Sequence, residues 1–180
     1  MTSMKLQPII VNSISQATAQ VFSTMLGVEI RCGESSIENS MPGANDGVVS
    51  FIGLAGAWAG TGSLSCSPVL ACRVCASMLM CEANAVNEEV LDTVAELTNM
   101  IIGSVKTDLE EHLGPLGLSI PTVVYGRNFR AKSAGSTEWI VVRFHWDDET
   151  LLVKLCLEPK DRAAHVLFHT QSAQSCAMEV

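Results

Sequence analysis

Apolar residues recur at Val90, Val94, Leu97, Ile101, Val105, Leu109 and Leu113, in steps of three and four. That period lines one buried face of an α-helix. Asn87 stands before it as an N-cap, and Glu88 and Glu89 fill the first turn, where the positive end of the helix dipole favours acids. Gly114 followed by Pro115 stops the helix. The pattern predicts a helix over residues 88–113, about 39 Å long at about 1.5 Å per residue. Its opposite face carries Asp92, Glu96, Asn99, Gly103 and Lys106, spaced as one exposed stripe. Glu96 and Asn99 are helical neighbours, with Cβ atoms roughly 5–6 Å apart. Gly103 is costly in mid-helix, by about 1 kcal/mol relative to Ala. A bare backbone there either admits another surface or packs against a neighbouring element.

Elsewhere the period changes. Pro8 suits the first turn of a helix that runs to Leu26 and is stopped by Gly27. Ile10, Ile14, Ala17, Val21 and Met25 form its apolar face. Residues 28–32 read as a short strand, and residues 33–46 as a polar surface loop or irregular edge. Residues 47–55 and 58–66 read as the two strands of a hairpin around Gly56. Ser67-Pro68 is a helix start, with an N-cap followed by Pro at N1. That helix runs to residue 81 and is apolar on nearly every side. Residues 118–125 read as a strand, and Pro121 within it points to an edge or a bulge. Residues 127–137 are a loop or a frayed strand. Residues 138–146 alternate, with Ile140, Val142, Phe144 and Trp146 on one side. A turn over 147–150 returns the chain, with Leu151, Val153, Leu155 and Leu157 inside, as an antiparallel hairpin.

The order is helix, strands, two helices, strands. That is an α+β fold with an antiparallel sheet, not alternating βαβ units. Both halves start with a helix and pass into strands, which hints at an internal pseudo-repeat. Residues 1–158 form one domain. Residues 159–180 are a tail that reads equally as a short extra strand or a mobile end.

Composition narrows the function. Of 180 residues, 48% are hydrophobic and 17% charged, which suits a folded single domain rather than a disordered chain. A net charge of −8 argues against nucleic acid and anionic membrane as primary partners. No signal peptide is evident at the N-terminus, and glycines break the most apolar window, residues 47–66. A cytoplasmic protein with reduced thiols is expected. Cys66, Cys72, Cys75 and Cys81 fall close together, and Cys72-x2-Cys75 has zinc-like spacing. Two cysteines a turn apart on an apolar helix lack the turn of a zinc knuckle and read as small buried hydrophobes, so no metal is expected. His165 and His169 are spaced as a metal pair only on a helix, and the Val-Leu-Phe between them suits a strand. There is no nucleophile elbow, P-loop or dinucleotide fingerprint.

The pattern Asp92-x3-Glu96-x2-Asn99, followed about twenty residues later by Pro121, resembles the signature of the CheC/CheX/FliY chemotaxis phosphatases. The flanking text, ELTNMIIGSVKTDL and LSIPTVVYG, is similar to the CheX-type members in particular. The resemblance runs from the first helix to Glu158. It departs in the gap from Asn99 to Pro121, about one residue short, and in the tail. CheC-like proteins can carry two copies of the motif. Here the first helix offers only Ser13, Gln16 and Gln20 on its polar face, so the single copy sides with CheX.

The resemblance implies a CheC/CheX-like fold, with long helices packed on one face of the sheet. It implies a homodimer joined through sheet edges, with the strands near residues 58–66 or 138–158 as candidates. The implied partner is a phosphorylated CheY-type response regulator, whose aspartyl phosphate sits beside its own Mg²⁺ and lysine. The chain then needs no cofactor of its own. Glu96 would pair with the regulator's lysine, and Asn99 would orient a water for in-line attack on phosphorus. Asp92, Gly103 and Lys106 would be auxiliary or partner-binding, although Asp92 reads equally as a solvated acid and Lys106 as local charge balance. A non-catalytic adaptor on the same fold is the alternative, and it would need only the docking surface.

Overall fold

A computed structural model describes residues 3–39, 45–129 and 138–160. The elements run α1 (Ser3–Val21), a π-helical turn (Phe22–Leu26), β1 (Arg31–Glu38), β2 (Asn45–Gly56), β3 (Trp58–Cys66), α2 (Pro68–Leu79), α3 (Glu88–Leu113), β4 (Leu116–Leu118), β5 (Thr122–Phe129), β6 (Trp139–Trp146) and β7 (Glu149–Pro159). All strand pairs are antiparallel, in the order β1-β6-β7-β3-β2, and β4 and β5 both pair along the outer side of β2. α3 packs against both α1 and α2 and lies over the β2, β3, β4 and β5 part of the sheet, while α1 reaches β6 and β1.

The long helix has the predicted bounds for the predicted reasons. Asn87 Oδ1 accepts from the Val90 N–H at 2.9 Å. Gly114, at φ 76°, donates its N–H to the Glu110 carbonyl at the far end. Val90, Val94, Leu97, Ile101, Val105, Leu109 and Leu113 are all buried, joined by Thr93, Thr98 and Ile102. Close approach of α3 to the sheet depends on Gly62. A Cβ there would sit 3.0 Å from three side-chain atoms of Ile102.

Several elements differ from the sequence expectation. α1 begins at Ser3, so Pro8 lies inside the helix and not at its first turn. The π-helical turn after Val21 inserts an extra residue into the helical period. Phe22 and Leu26 are therefore buried, and Met25, expected on the apolar face, is 45% exposed. β1 occupies much of the stretch read as a polar loop or irregular edge, and it is the second of these. It is an edge strand whose residues are mostly exposed on both sides, so it shows no alternation to read. The strand expected over residues 118–125 is two strands. Ser119 breaks it: its N–H donates to Gly53 O at 2.9 Å, and its Oγ accepts from the Gly53 N–H at 2.8 Å. Pro121 sits in this break, just before β5, where its missing N–H removes no ladder bond. β5 continues to Phe129. Residues 130–137 and the tail beyond residue 160, with His165 and His169, lie outside the described residues.

The β6–β7 hairpin has the predicted inner face, with Val142, Phe144, Leu151, Val153 and Leu155 in the main core. The alternation pointed to one buried side, yet both are buried. Trp139, Val141 and Cys156 form a second cluster on the other side. Lys154 lies on that side too, 3% exposed, and burial lowers its ammonium to about 8. The strands expected at a dimer edge are interior. β3 is bonded to β2 and β7, β6 to β1 and β7, and β7 to β3 and β6. The sheet edges are β1 on one side and β4 with β5 on the other.

Candidate functional site

The polar stripe of α3 stands on a fixed base. Leu97 and Thr98, the two residues between Glu96 and Asn99, are buried. Thr98 is polar at a core position, and its hydroxyl is satisfied by the Val94 carbonyl at 2.7 Å. The turn that carries the pair is therefore anchored on its inner side while the pair faces outward. Asp92, Glu96 and Asn99 are all exposed. Among the described residues, none of these three side chains makes a hydrogen bond or ion pair within the chain. A carboxylate and a carboxamide are thus held side by side with their polar groups uncommitted.

Gly103 continues the stripe one turn on. A methyl group there would meet only Leu118 Cδ1, at the ordinary contact distance of 3.9 Å. The fold itself has no need of glycine at this position, and the helical cost of about 1 kcal/mol is not offset by any close packing inside the chain. Lys106, the next member, is committed elsewhere. Its Nζ lies 2.9 Å from a Glu110 carboxylate oxygen, which also accepts the Leu116 N–H at 2.8 Å. The Leu116 N–H, and after it Lys106, hold the Glu110 carboxyl below the usual carboxylate range. Lys106 and Glu110 together tie the end of α3 to β4.

Beyond β4, the Ser119 clamp turns Ile120 outward to 88% exposure. Leu118 touches the Gly103 position, so this apolar turn follows from the far end of the stripe. Sequence reading passed over Glu110, Ser119 and Ile120, because each acts through a tertiary contact. The isolated Ile beside Pro121, in a segment too short to bury it, was the only available signal.

A groove among the described residues lies elsewhere. It has a volume of about 720 Å³ between α1 and α3 and is lined by Gln16, Gln20, Ser23, Glu29, Ser104 and Asp108. Ser13 donates to Asp108 there at 2.6 Å. It contains no catalytic pair, and no residue of the Asp92–Asn99 stripe lines it. The stripe is a ridge, a shape suited to a macromolecular surface rather than an enclosed small molecule. No helix among the described residues is long and apolar enough to cross a membrane.

Comparison with known proteins agrees on one family. The family model described as chemotaxis phosphatase CheX matches residues 48–145, more than half of the chain and including the whole of α3. The CheY-P phosphatase CheX of Thermotoga maritima is 32% identical over 128 residues, 70% of this chain and 81% of that protein. The crystal structure of chemotaxis protein CheX from Vibrio vulnificus superposes with a TM-score of 0.73 at 28% identity, covering 83% of this chain and 99% of the other. A structure of a CheX–CheY–BeF₃–Mg²⁺ complex from Borrelia burgdorferi shares the fold, with a TM-score of 0.72 at 23% identity over 83% of this chain and 97% of that one. Helices on one face of an antiparallel sheet, the single motif on α3 and these matches lead to one conclusion: the chain belongs to the chemotaxis phosphatase CheX family.

Proposed function

We propose that this protein hydrolyses the aspartyl phosphate of a CheY-type response regulator, with α3 docked over the regulator's phosphorylation site. The observation that carries this reading is the exposed, uncommitted Glu96–Asn99 pair, fixed from below by Leu97 and Thr98. The Thermotoga relative is named for this activity, and the Borrelia relative is held against CheY with beryllofluoride and magnesium.

The chemistry suits the pair. An acyl phosphate is a mixed anhydride and already activated, so placing a water in line is much of the remaining task. Water oxygen forms the new bond to phosphorus, the bond to the acyl oxygen breaks, and the aspartate carboxylate leaves as inorganic phosphate departs. The Asn99 carboxamide can accept from the water and donate beside it without adding negative charge near phosphate. Glu96 pairs with a lysine of the regulator and sets the register of α3. Mg²⁺ is held by the regulator, where it neutralises phosphoryl charge, and this chain contributes no cofactor to the reaction. Asp92 extends the acidic docking face. Gly103 lets the partner's backbone come close, and Ile120 supplies apolar contact at the rim. A cytoplasmic location goes with such a partner. A homodimer through sheet edges belongs to the same reading, and its open edges are β1 or β4 with β5.

Two variants test the docking. Glu96→Ala weakens binding to the beryllofluoride form of the regulator by about tenfold or more, equivalent to about 1.4 kcal/mol, and leaves turnover at saturation near wild type. Calorimetric titration reads the affinity, and an unchanged Kd removes Glu96 from the interface. Gly103→Ala stabilises the free protein by up to about 1 kcal/mol and yet weakens the same complex. A more stable variant that docks as well as wild type would show that Gly103 faces only solvent.

A further inference from the structure

The α2–α3 corner brings together three side chains that the sequence keeps apart. The sulfurs of Cys75 and Cys81 and a carboxylate oxygen of Glu89 all lie within 4.8 Å of one another. Each is placed by a separate structural device. Cys75 is fully buried in the penultimate turn of α2. Cys81 follows the left-handed residue Met80, φ 50°, which caps that helix. Its N–H returns to the Ala76 carbonyl at 3.3 Å, which also accepts the Met80 N–H, and this fixes the backbone that carries the thiol. Glu89 is the second residue of α3, held by the Asn87 cap.

We propose that Cys75, Cys81 and Glu89 form a binding site for a thiophilic divalent cation of the zinc(II) class, which staples the end of α2 to the start of α3. Two thiolates and a carboxylate select such an ion over magnesium or calcium, which take oxygen ligands. Zinc bonds are about 2.3 Å to sulfur and about 2.0–2.2 Å to carboxylate oxygen. Tetrahedral coordination therefore asks the three atoms to close by only a fraction of their present separation. Glu89 is exposed and Cys81 half-buried, so the fourth position opens to water. Binding replaces the two thiol protons, which pass to solvent, and leaves a complex of net charge −1.

A further observation supports a built site. Thr93, buried one turn after Glu89, places its hydroxyl 3.5 Å from Cys75 Sγ and 2.7 Å from the Glu89 carbonyl. Its single proton can turn to the sulfur once that sulfur is a thiolate, which is how a supporting residue fixes a metal ligand. The zinc-like spacing of Cys72 and Cys75 is not the ligand set. Cys72 is a buried residue of α2 outside this trio, and the partner of Cys75 is Cys81, across the helix cap.

The site lies outside the Glu96–Asn99 pair, and its test needs no response regulator. Glu89 precedes Glu96 by two helical turns, about 10 Å along the axis. Protein purified without a metal-affinity tag and kept reduced is titrated with cadmium(II), and the thiolate-to-metal charge-transfer band is followed. Zinc(II) is then added in competition against a chelator. The expected result is one ion per chain, a melting temperature that rises with zinc concentration, loss of the band in Cys81→Ser, and affinity about tenfold or more weaker in Glu89→Gln. Cys32→Ser, at an exposed cysteine outside the trio, leaves binding unchanged. Should Cys81→Ser fail to fold, Glu89→Gln carries the test alone, since its side chain is exposed. No stoichiometric ion in wild type, full binding in Cys81→Ser, or undiminished affinity in Glu89→Gln would overturn the assignment.

Discussion

Replacing Asn99 with Ala is expected to lower the proposed dephosphorylation of the regulator by about a hundredfold, the scale of losing one positioned polar group in a transition state. The melting temperature does not fall. Asn99 is exposed and its side chain makes no hydrogen bond or ion pair among the described residues, and Ala is the better helix former by a few tenths of a kcal/mol. Affinity for the beryllofluoride form of the regulator is expected to stay close to wild type, because in the proposed reading docking rests on Glu96 and the rest of the ridge. The loss therefore lies in turnover and not in binding. Asn99→Asp does no better than Ala. It keeps the shape but sets a negative charge against the phosphoryl group and removes the amide's donor. Paired measurements of steady-state turnover and calorimetric affinity check all three statements, and a variant with wild-type turnover would remove Asn99 from the mechanism.

Leu97→Ala produces the opposite profile two residues away. Leu97 is 1% exposed and packs in the main core beneath the pair. Removing its side chain destabilises the fold by about 2–5 kcal/mol, through lost transfer energy and the cavity left behind. For a chain of this size, that is a fall in Tm of roughly 4–20 °C. Activity per folded molecule is retained at low temperature and disappears as the protein melts, whereas the Asn99→Ala defect persists at every temperature. Thermal denaturation followed by circular dichroism, alongside assays at two temperatures, separates the two. A small change in Tm for Leu97→Ala would mean that the turn beneath the site is not anchored as described.

The parts of the structure that were legible in the sequence share one property: a strong local period closed by caps. α3 was readable to its end residues because an N-cap, a terminal glycine and seven core positions agree along one helix. The exposed face that carries the candidate site was readable for the same reason, since a rigid helix converts spacing directly into a face, while the choice of Glu96 and Asn99 on it came from the family resemblance. β1 was readable only as a loop or an irregular edge, because an edge strand solvated on both sides carries no hydrophobic alternation. Met25 was misplaced because the π-helical turn adds a residue to the period, and nothing in the local composition announces it. The break at Ser119 depends on two hydrogen bonds to Gly53, 66 residues away. The trio of Cys75, Cys81 and Glu89 was hidden in the same way: its members lie in α2, just past its cap and in α3, and only the α2–α3 corner brings them together.

Turnover of phosphorylated regulator at substoichiometric protein is the most direct measurement of the central claim. Response regulators from the same genome are phosphorylated and mixed with a small fraction of this protein, and release of inorganic phosphate is followed. The account predicts that one regulator loses its phosphate faster than by its own hydrolysis, with many turnovers per chain and an initial rate proportional to protein concentration. Binding of a regulator with no acceleration at any ratio would contradict it and leave a docking adaptor on the same fold.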